Sequence, residues 1–93
     1  MKVHELKTLN KFFQLSWDDK KTYEIRYNLD RNFGVGDIVI LQEIVDNEFT
    51  GRSIIAIILD VFKDNDYVIE DHVILQLKFI SKTSQNEVVS ICI

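Results

Sequence analysis

Hydrophobic and polar residues alternate with a period of two along most of this chain and follow a helical period in one place only. Val3 to Lys7 reads as a short strand, with His4 and Leu6 on one face and Val3, Glu5 and Lys7 on the other. The next stretch, LNKFFQLSW, sets Leu9, Phe12, Phe13 and Ser16 at helical spacing and turns Lys11 and Gln14 away, which predicts a helix of two to three turns. Thr8 or Asn10 is placed to cap it. Asp18 and Asp19 end it, because acidic side chains oppose the dipole at a helix C-terminus. From about Lys21 to Asn28 the strand period returns. Tyr23, Ile25 and Tyr27 share one face, with Tyr23 and Ile25 expected in the core, and Thr22, Glu24 and Arg26 share the other.

Leu29 to Gly36 is a loop whose glycines suit a tight entry into the next strand, Asp37 to Val45, and Asp37 is expected to bond loop amides. DNEFTG reads as a hairpin turn and Arg52 to Phe62 as a fourth strand, apolar on both faces. After a polar loop and an irregular connection at Val68 to Asp71, Val73 to Ile80 is the fifth strand. SKTSQNE is a polar turn, and the tail, residues 81 to 93, ends in a candidate sixth strand from Val88 to Ile93. Val39, Leu41, Ile55, Ile57, Leu75 and Leu77 are the expected core. Five or six strands with one short N-terminal helix lack the crossover helices of a doubly wound sheet. The expected fold is α+β, mostly β: a small mixed or antiparallel barrel with the helix closing one end.

Ninety-three residues, 46% of them hydrophobic, make one domain with a small core. The longest apolar run, Ile54 to Leu59, falls far short of the roughly 20 residues of a membrane span, and Glu5 and Lys7 stand where a signal peptide needs an apolar centre. With one cysteine, Cys92, the chain has no internal disulfide, and a cytoplasmic location is expected. The net charge of −4 is unevenly spread, at +2 over residues 1 to 36 and −6 over the rest, so an anionic ligand belongs to the N-terminal part. The acidic remainder argues against long electrostatic tracks along duplexes.

Residues 20 to 37, KKTYEIRYNLDRNFGVGD, concentrate the candidate chemistry. Glu24 and Arg26 sit two apart on one strand face, with Cβ atoms about 6–7 Å apart. They suit either a surface ion pair or a cleft in which Arg26 grips a phosphate or carbonyl while Glu24 accepts from a base edge. Lys21 adds an anion contact, or a base if desolvated. Arg31 and Asn32 lie in the loop, where ligand contacts concentrate, and Phe33 is placed either to touch a ligand or to plug the barrel end. Trp17 reads as packing and His4 as a satisfied buried histidine. His72 and Cys92 are too isolated for a metal site, and no metal or cofactor is expected. No nucleophile-elbow, P-loop or dinucleotide-binding pattern is present.

In order along residues 3 to 52 stand His4-Glu5-Leu6-Lys7, Lys20-Lys21-Thr22-Tyr23-Glu24-Ile25-Arg26, Asp30-Arg31-Asn32-Phe33 into Val35-Gly36-Asp37, and Phe49-Thr50-Gly51-Arg52. In these the chain resembles the ASCH domains of the PUA-like superfamily and, within it, the bacterial and phage DUF3850 family. The resemblance implies a β-barrel whose cleft, near the helix, is lined by a motif of the form G-x-K-x-x-E-x-R. That motif falls on Lys21, Glu24 and Arg26, with Asp19 where the glycine is expected.

The resemblance implies recognition of RNA or a nucleotide-like ligand by Lys21, Glu24, Arg26, Arg31, Asn32 and Phe33, and this binding role is preferred. A second reading is a small amidohydrolase of acylated nucleosides, which some ASCH proteins are. Lys21, Thr22 and Glu24 would then carry the chemistry, although Glu24 replaces the hydrolase threonine and the distal carboxylate has no better counterpart than Glu70. A third is a protein-interaction or phage accessory module, marked by an exposed β edge or apolar patch.

Overall fold

The computed structural model of the chain describes residues 1–64, 66–85 and 87–91. Its elements run β1 (Val3–Leu9), α1 (Asn10–Trp17), β2 (Tyr23–Tyr27), β3 (Ile38–Val45), β4 (Glu48–Phe62), β5 (His72–Ser84) and β6 (Glu87–Ile91). The strands form one six-stranded sheet in the order β1-β3-β4-β5-β2, with β1 parallel to β3 and the other pairs antiparallel. One edge of β5 is shared: β2 pairs with its first residues, His72 to Gln76, and β6 with Ser81 to Ser84. Register shifts in the β4–β5 pair, between Ile55 and Ala56 and between Ile58 and Asp60, bend the long strands. The sheet curls into a half-barrel with β1 at one edge and β2 and β6, both on the open side of β5, at the other. No helix among the described residues is long and apolar enough to cross a membrane.

The inward rows follow the register. Leu6, Leu41 and Ile54 lie side by side across β1, β3 and β4, and the row of His4, Val39 and Ala56 lies next to them, all buried. Phe13 of α1 packs into this core with no exposed surface, and Trp17 packs against it. Leu75 and Leu77 complete the core from β5, as the strand period predicts.

Several sequence expectations are corrected. In β4 the buried residues are Ile54, Ala56 and Ile58, while Ile55 and Ile57 are half-buried. The isoleucine run carries no polar residue to mark its phase, and the inward position takes the small Ala56. In β2 it is Glu24 that is buried, at 3% exposure, whereas Tyr23 and Ile25 are 47% and 55% exposed. The hairpin turn is only Asp46-Asn47, both with positive φ, the two-residue primed turn that suits twisted strands. Glu48 to Gly51 therefore belong to β4. The polar Ser81 to Ser84 continue β5, because β4 and β6 supply partners on both sides. Residues 92 and 93, the end of the candidate sixth strand and the site of Cys92, lie outside the described residues.

The helix is held by tertiary bonds instead of a cap. Leu9 is the N-cap without a side-chain bond, Thr8 stays in β1, and Asn10 Nδ2 donates to Glu43 at 2.7 Å. Of the apolar set assigned to the helix, Leu9 and Phe12 are exposed. Arg52 donates to Glu43 at 2.6 Å and to Gln14 at 2.8 Å, and its guanidinium lies 4.7 Å from the Trp17 ring and 5.2 Å from that of Phe13. At the other end Lys82 Nζ donates to the Trp17 carbonyl at 2.7 Å and to Asp19 at 2.9 Å, a cation where the helix dipole favours one. Asp19 has φ 58°, the left-handed conformation that glycine adopts most readily.

Candidate functional site

Glu24 is the centre of the site. Its inward placement follows from the β2–β5 register, which pairs it with buried Leu75, so its carboxylate lies in the sheet's concave side near the seam between β2 and β1. A buried carboxylate needs charged or hydrogen-bonded partners. Lys21 Nζ donates to Oε2, and Arg26 donates to Oε1 from Nε at 3.1 Å and from Nη2 at 2.7 Å. Arg26 then reaches across the seam, from Nη1 to the Lys7 carbonyl at 3.1 Å and from Nη2 to Thr8 Oγ1 at 3.1 Å. These contacts occupy four of about five guanidinium N–H groups. With two cations on one carboxylate, the cluster carries a net positive charge at the molecular surface.

Three adjoining depressions follow the seam. One of about 320 Å³ is lined by Phe12, Leu15, Lys21, Tyr23 and Ile25. The next, about 270 Å³, shares Phe12 and Ile25 with it and adds Lys7, Thr8, Leu9, Glu24 and Arg26. The third, about 240 Å³, shares Arg26 and adds Leu6, Tyr27, Asp30, Arg31 and Phe33. The groove is apolar beside α1 and charged beside the 28–37 loop.

The loop is positioned by Asp37 and Asn28. The Asp37 carboxylate accepts from His4 Nε2 at 2.9 Å and from the backbone N–H groups of Lys2 and Gly34 at 3.0 Å each. The His4 bond, with help from these amides, pulls its pKa down to about 2. Asn28 Oδ1 accepts from Phe33 N at 2.8 Å, and Gly36 takes the positive φ of 88° that the turn into β3 requires. On the helix side Glu43 is held by Arg52, Thr50 and Asn10. The Arg52 hydrogen bond outweighs burial and brings the Glu43 pKa to about 2, and Glu43 in turn raises that of Arg52.

The structure thus brings Lys21, Glu24 and Arg26 into direct contact and sets exposed Arg31 in the depression next to Arg26. Phe33 is buried against the His4 ring, 4.6 Å away, and forms the floor of that depression. Asn32 is exposed at φ 50°, and its carbonyl accepts from Lys2 Nζ. Thr22 lies apart, in a depression with Asp60 and Gln76 on the outer face. Glu70 is in the exposed turn before β5. The hydroxyl beside the cluster belongs to Thr8, a residue read above only as a cap. Its signal was present: Thr8 continues the inward alternation of His4 and Leu6. Among the described residues, no three histidine, cysteine or carboxylate side chains gather as a metal site.

A family model described as a domain of unknown function, DUF3850, matches residues 3–77. An uncharacterized 12.9 kDa protein in the GpA 3' region of Escherichia phage P2 is 45% identical over 74 residues. The match takes in 80% of this chain and 66% of that protein, so the chain spans just under two thirds of its relative's length. The matched residues take in β1 to β4, the whole Lys21–Glu24–Arg26 cluster and the first part of β5, and on that match the chain belongs to the DUF3850 family.

Proposed function

We propose that the chain is a cytoplasmic, ASCH-type module of the PUA-like superfamily that binds RNA or a nucleotide-like ligand in the groove along the β1–β2 seam. The observation that carries this reading is the pair of cations, Lys21 and Arg26, fixed on one buried carboxylate at the groove wall. Glu24 neutralises one charge and leaves the other for an anion. Its oxygens are already engaged, so its role is to position Lys21 and Arg26, not to read a base edge. Arg31 adds a second cation at the loop end, and Asn32 and Phe33 shape that end. The apolar end, beside Phe12 and Leu15, accepts a flat ring. Calorimetric titration with the four common nucleoside monophosphates tests the reading. Binding to one or more, lost in Arg26→Lys and retained in Lys20→Ala, is expected. No heat with any of them overturns it.

One observation favours a second reading, amide hydrolysis of an acylated nucleoside. The Lys21 amine, the Glu24 carboxylate and the Thr8 hydroxyl all belong to one bonded cluster, where Thr8 takes the place expected of Thr22. Incubation with N4-acetylcytidine decides between the two. Turnover abolished by Lys21→Ala establishes the hydrolase; intact substrate leaves the binding role.

A further inference from the structure

The outward row of β2 borders the groove and contributes to its lining, but its side chains stay exposed on the outer side of the Lys21–Glu24–Arg26 cluster. Tyr23, Ile25 and Tyr27 are each about half exposed. The register sets Ile25 beside Ile74 and Ile74 beside Phe62, and it sets Tyr27 beside His72, whose ring lies 5.5 Å away, edge-on. Phe62 is itself exposed. Three strands therefore present an open face of aromatic and aliphatic side chains, where monomeric proteins rarely leave such groups contiguous.

The charges beside this face are asymmetric. Along the seam run Lys21, Arg26 and Arg31, against Glu24, which is buried and already paired, and Asp30. The Lys21 amine stands 5.2 Å from the Tyr23 ring centroid. On the far side, beside Tyr23 and Gln76, stands Asp60. At the Tyr27 end Lys63 and Asp71, beside His72, offset each other, so a polyanion laid on the face is drawn to the seam and repelled at Asp60. Successive outward side chains on a strand stand about 6.6 Å apart, so Tyr23 to Tyr27 spans about 13 Å, enough for two or three bases.

We propose that this face is a stacking platform for a single-stranded nucleic acid that runs along β2, with its bases on Tyr23, Ile25 and Tyr27 and its phosphates on the Lys21–Arg26–Arg31 side. The inference rests on the proposed nucleotide-binding role and extends it from one nucleotide to a short strand. Unpaired bases offer their faces to aromatic rings, whereas a duplex hides them, so the platform selects single strands.

Fluorescence anisotropy with a fluorescein-labelled ten-nucleotide RNA, the DNA of the same sequence and the corresponding duplex, at low salt, tests this. The single strands bind more tightly than the duplex. Tyr23→Ala and Tyr27→Ala each weaken them about tenfold, Tyr23→Phe restores binding, and all three variants melt as the parent does, since the residues are exposed. A preference for RNA over DNA assigns a 2′-hydroxyl contact, and equal binding assigns stacking and phosphate contacts alone; either supports the platform. Equal affinity for the duplex overturns it, as does binding that the tyrosine variants leave unchanged. If mononucleotides bind through Arg26 but oligonucleotides bind no more tightly, the platform falls and the groove stands. If oligonucleotides bind through the tyrosines with Arg26→Lys unaffected, the groove reading falls instead. A dimer seen by sedimentation, abolished by Ile25→Asp in a protein that binds no oligonucleotide, overturns the proposal and assigns the face to a second copy of the chain.

Discussion

Arg26 on β2 donates to the backbone carbonyl of Lys7 on β1 at 3.1 Å, so one side chain ties together edge strands from opposite sides of the half-barrel. No backbone ladder joins these strands among the described residues. The guanidinium that faces the groove therefore also fixes the groove's width. A ligand that engages Arg26 acts on a group that four contacts already orient, and this preorganisation lowers the ordering cost of binding.

Arg26→Lys is expected to separate charge from geometry. Lysine keeps the positive charge but has no planar fork to hold Glu24, Thr8 and the Lys7 carbonyl together. Losing charge-assisted bonds of this kind costs about 1.5–3 kcal/mol. Urea unfolding should show that loss together with loss of mononucleotide binding. A lysine variant with parental stability and affinity would reduce Arg26 to a point charge.

Glu24→Ala should be more damaging. It leaves two cations beside a buried site with nothing to neutralise them, a situation that costs about 3–5 kcal/mol. Chemical denaturation measures it. Glu24→Gln retains an acceptor and should fall between parent and alanine. An alanine variant within 1 kcal/mol or so of the parent would mean that Lys21 and Arg26 simply swing into solvent, as surface pairs do.

How far the sequence could be read depended on what each stretch offered as a phase marker. The strands with polar punctuation were legible: His4 and Leu6 in β1, and Gln76 and Lys78 in β5, mark the inward and outward faces correctly. The isoleucine run of β4 has no such marker, and its phase came out reversed. In β2 the aromatic row looked like core because aromatic residues usually are. Burial of Glu24 was decided by partners the strand itself does not contain: Lys21 before it and, through Arg26, Thr8 and the Lys7 carbonyl of another strand. The motif spacing located Lys21, Glu24 and Arg26, but the seam that makes them a groove wall depends on β1 and β2 meeting as edges, a long-range outcome no local pattern records. The capping error has the same root. Asn10 bonds Glu43, 33 positions away, in preference to its own helix.

Two buried carboxylates set the acid limb of stability. Asp37 and Glu43 are both held near pKa 2 in the folded protein, by the His4 and Arg52 bonds respectively, against ordinary values of 3.8 and 4.5. A depressed folded pKa means that the unfolded chain binds protons first as pH falls. The contribution of both groups is complete above pH 4.5 and drains away as pH drops toward 2. Melting midpoints recorded from pH 6 to about 2 should fall most steeply in this window. In Glu43→Gln the fall should be shallower, and the midpoint at neutral pH lower. A variant whose pH profile parallels the parent's would show that Glu43 is not among the groups that titrate on unfolding.

The corrected phase of β4 makes a paired prediction. Ile58 has no exposed surface and lies in the core with Ile54, Leu75 and Leu77, so Ile58→Ala removes the contacts of its side chain beyond Cβ and opens a space the sheet cannot close. That class of truncation costs about 2–5 kcal/mol, as Leu75→Ala should too. Ile57 is the preceding residue and chemically identical, yet it faces the other way and is half-buried. Its truncation leaves no enclosed cavity and should cost roughly half as much or less. Stability in a chain this short is a few kilocalories deep, so Ile58→Ala should unfold near room temperature or fail to accumulate, while Ile57→Ala should fold and melt only a few degrees early. Thermal melts of the two variants side by side read the register directly. A reversed order, with Ile57→Ala the more damaging, would return the strand to the phase first expected and, because a one-residue slip turns every side chain over, would displace Ala56 from the inward row as well.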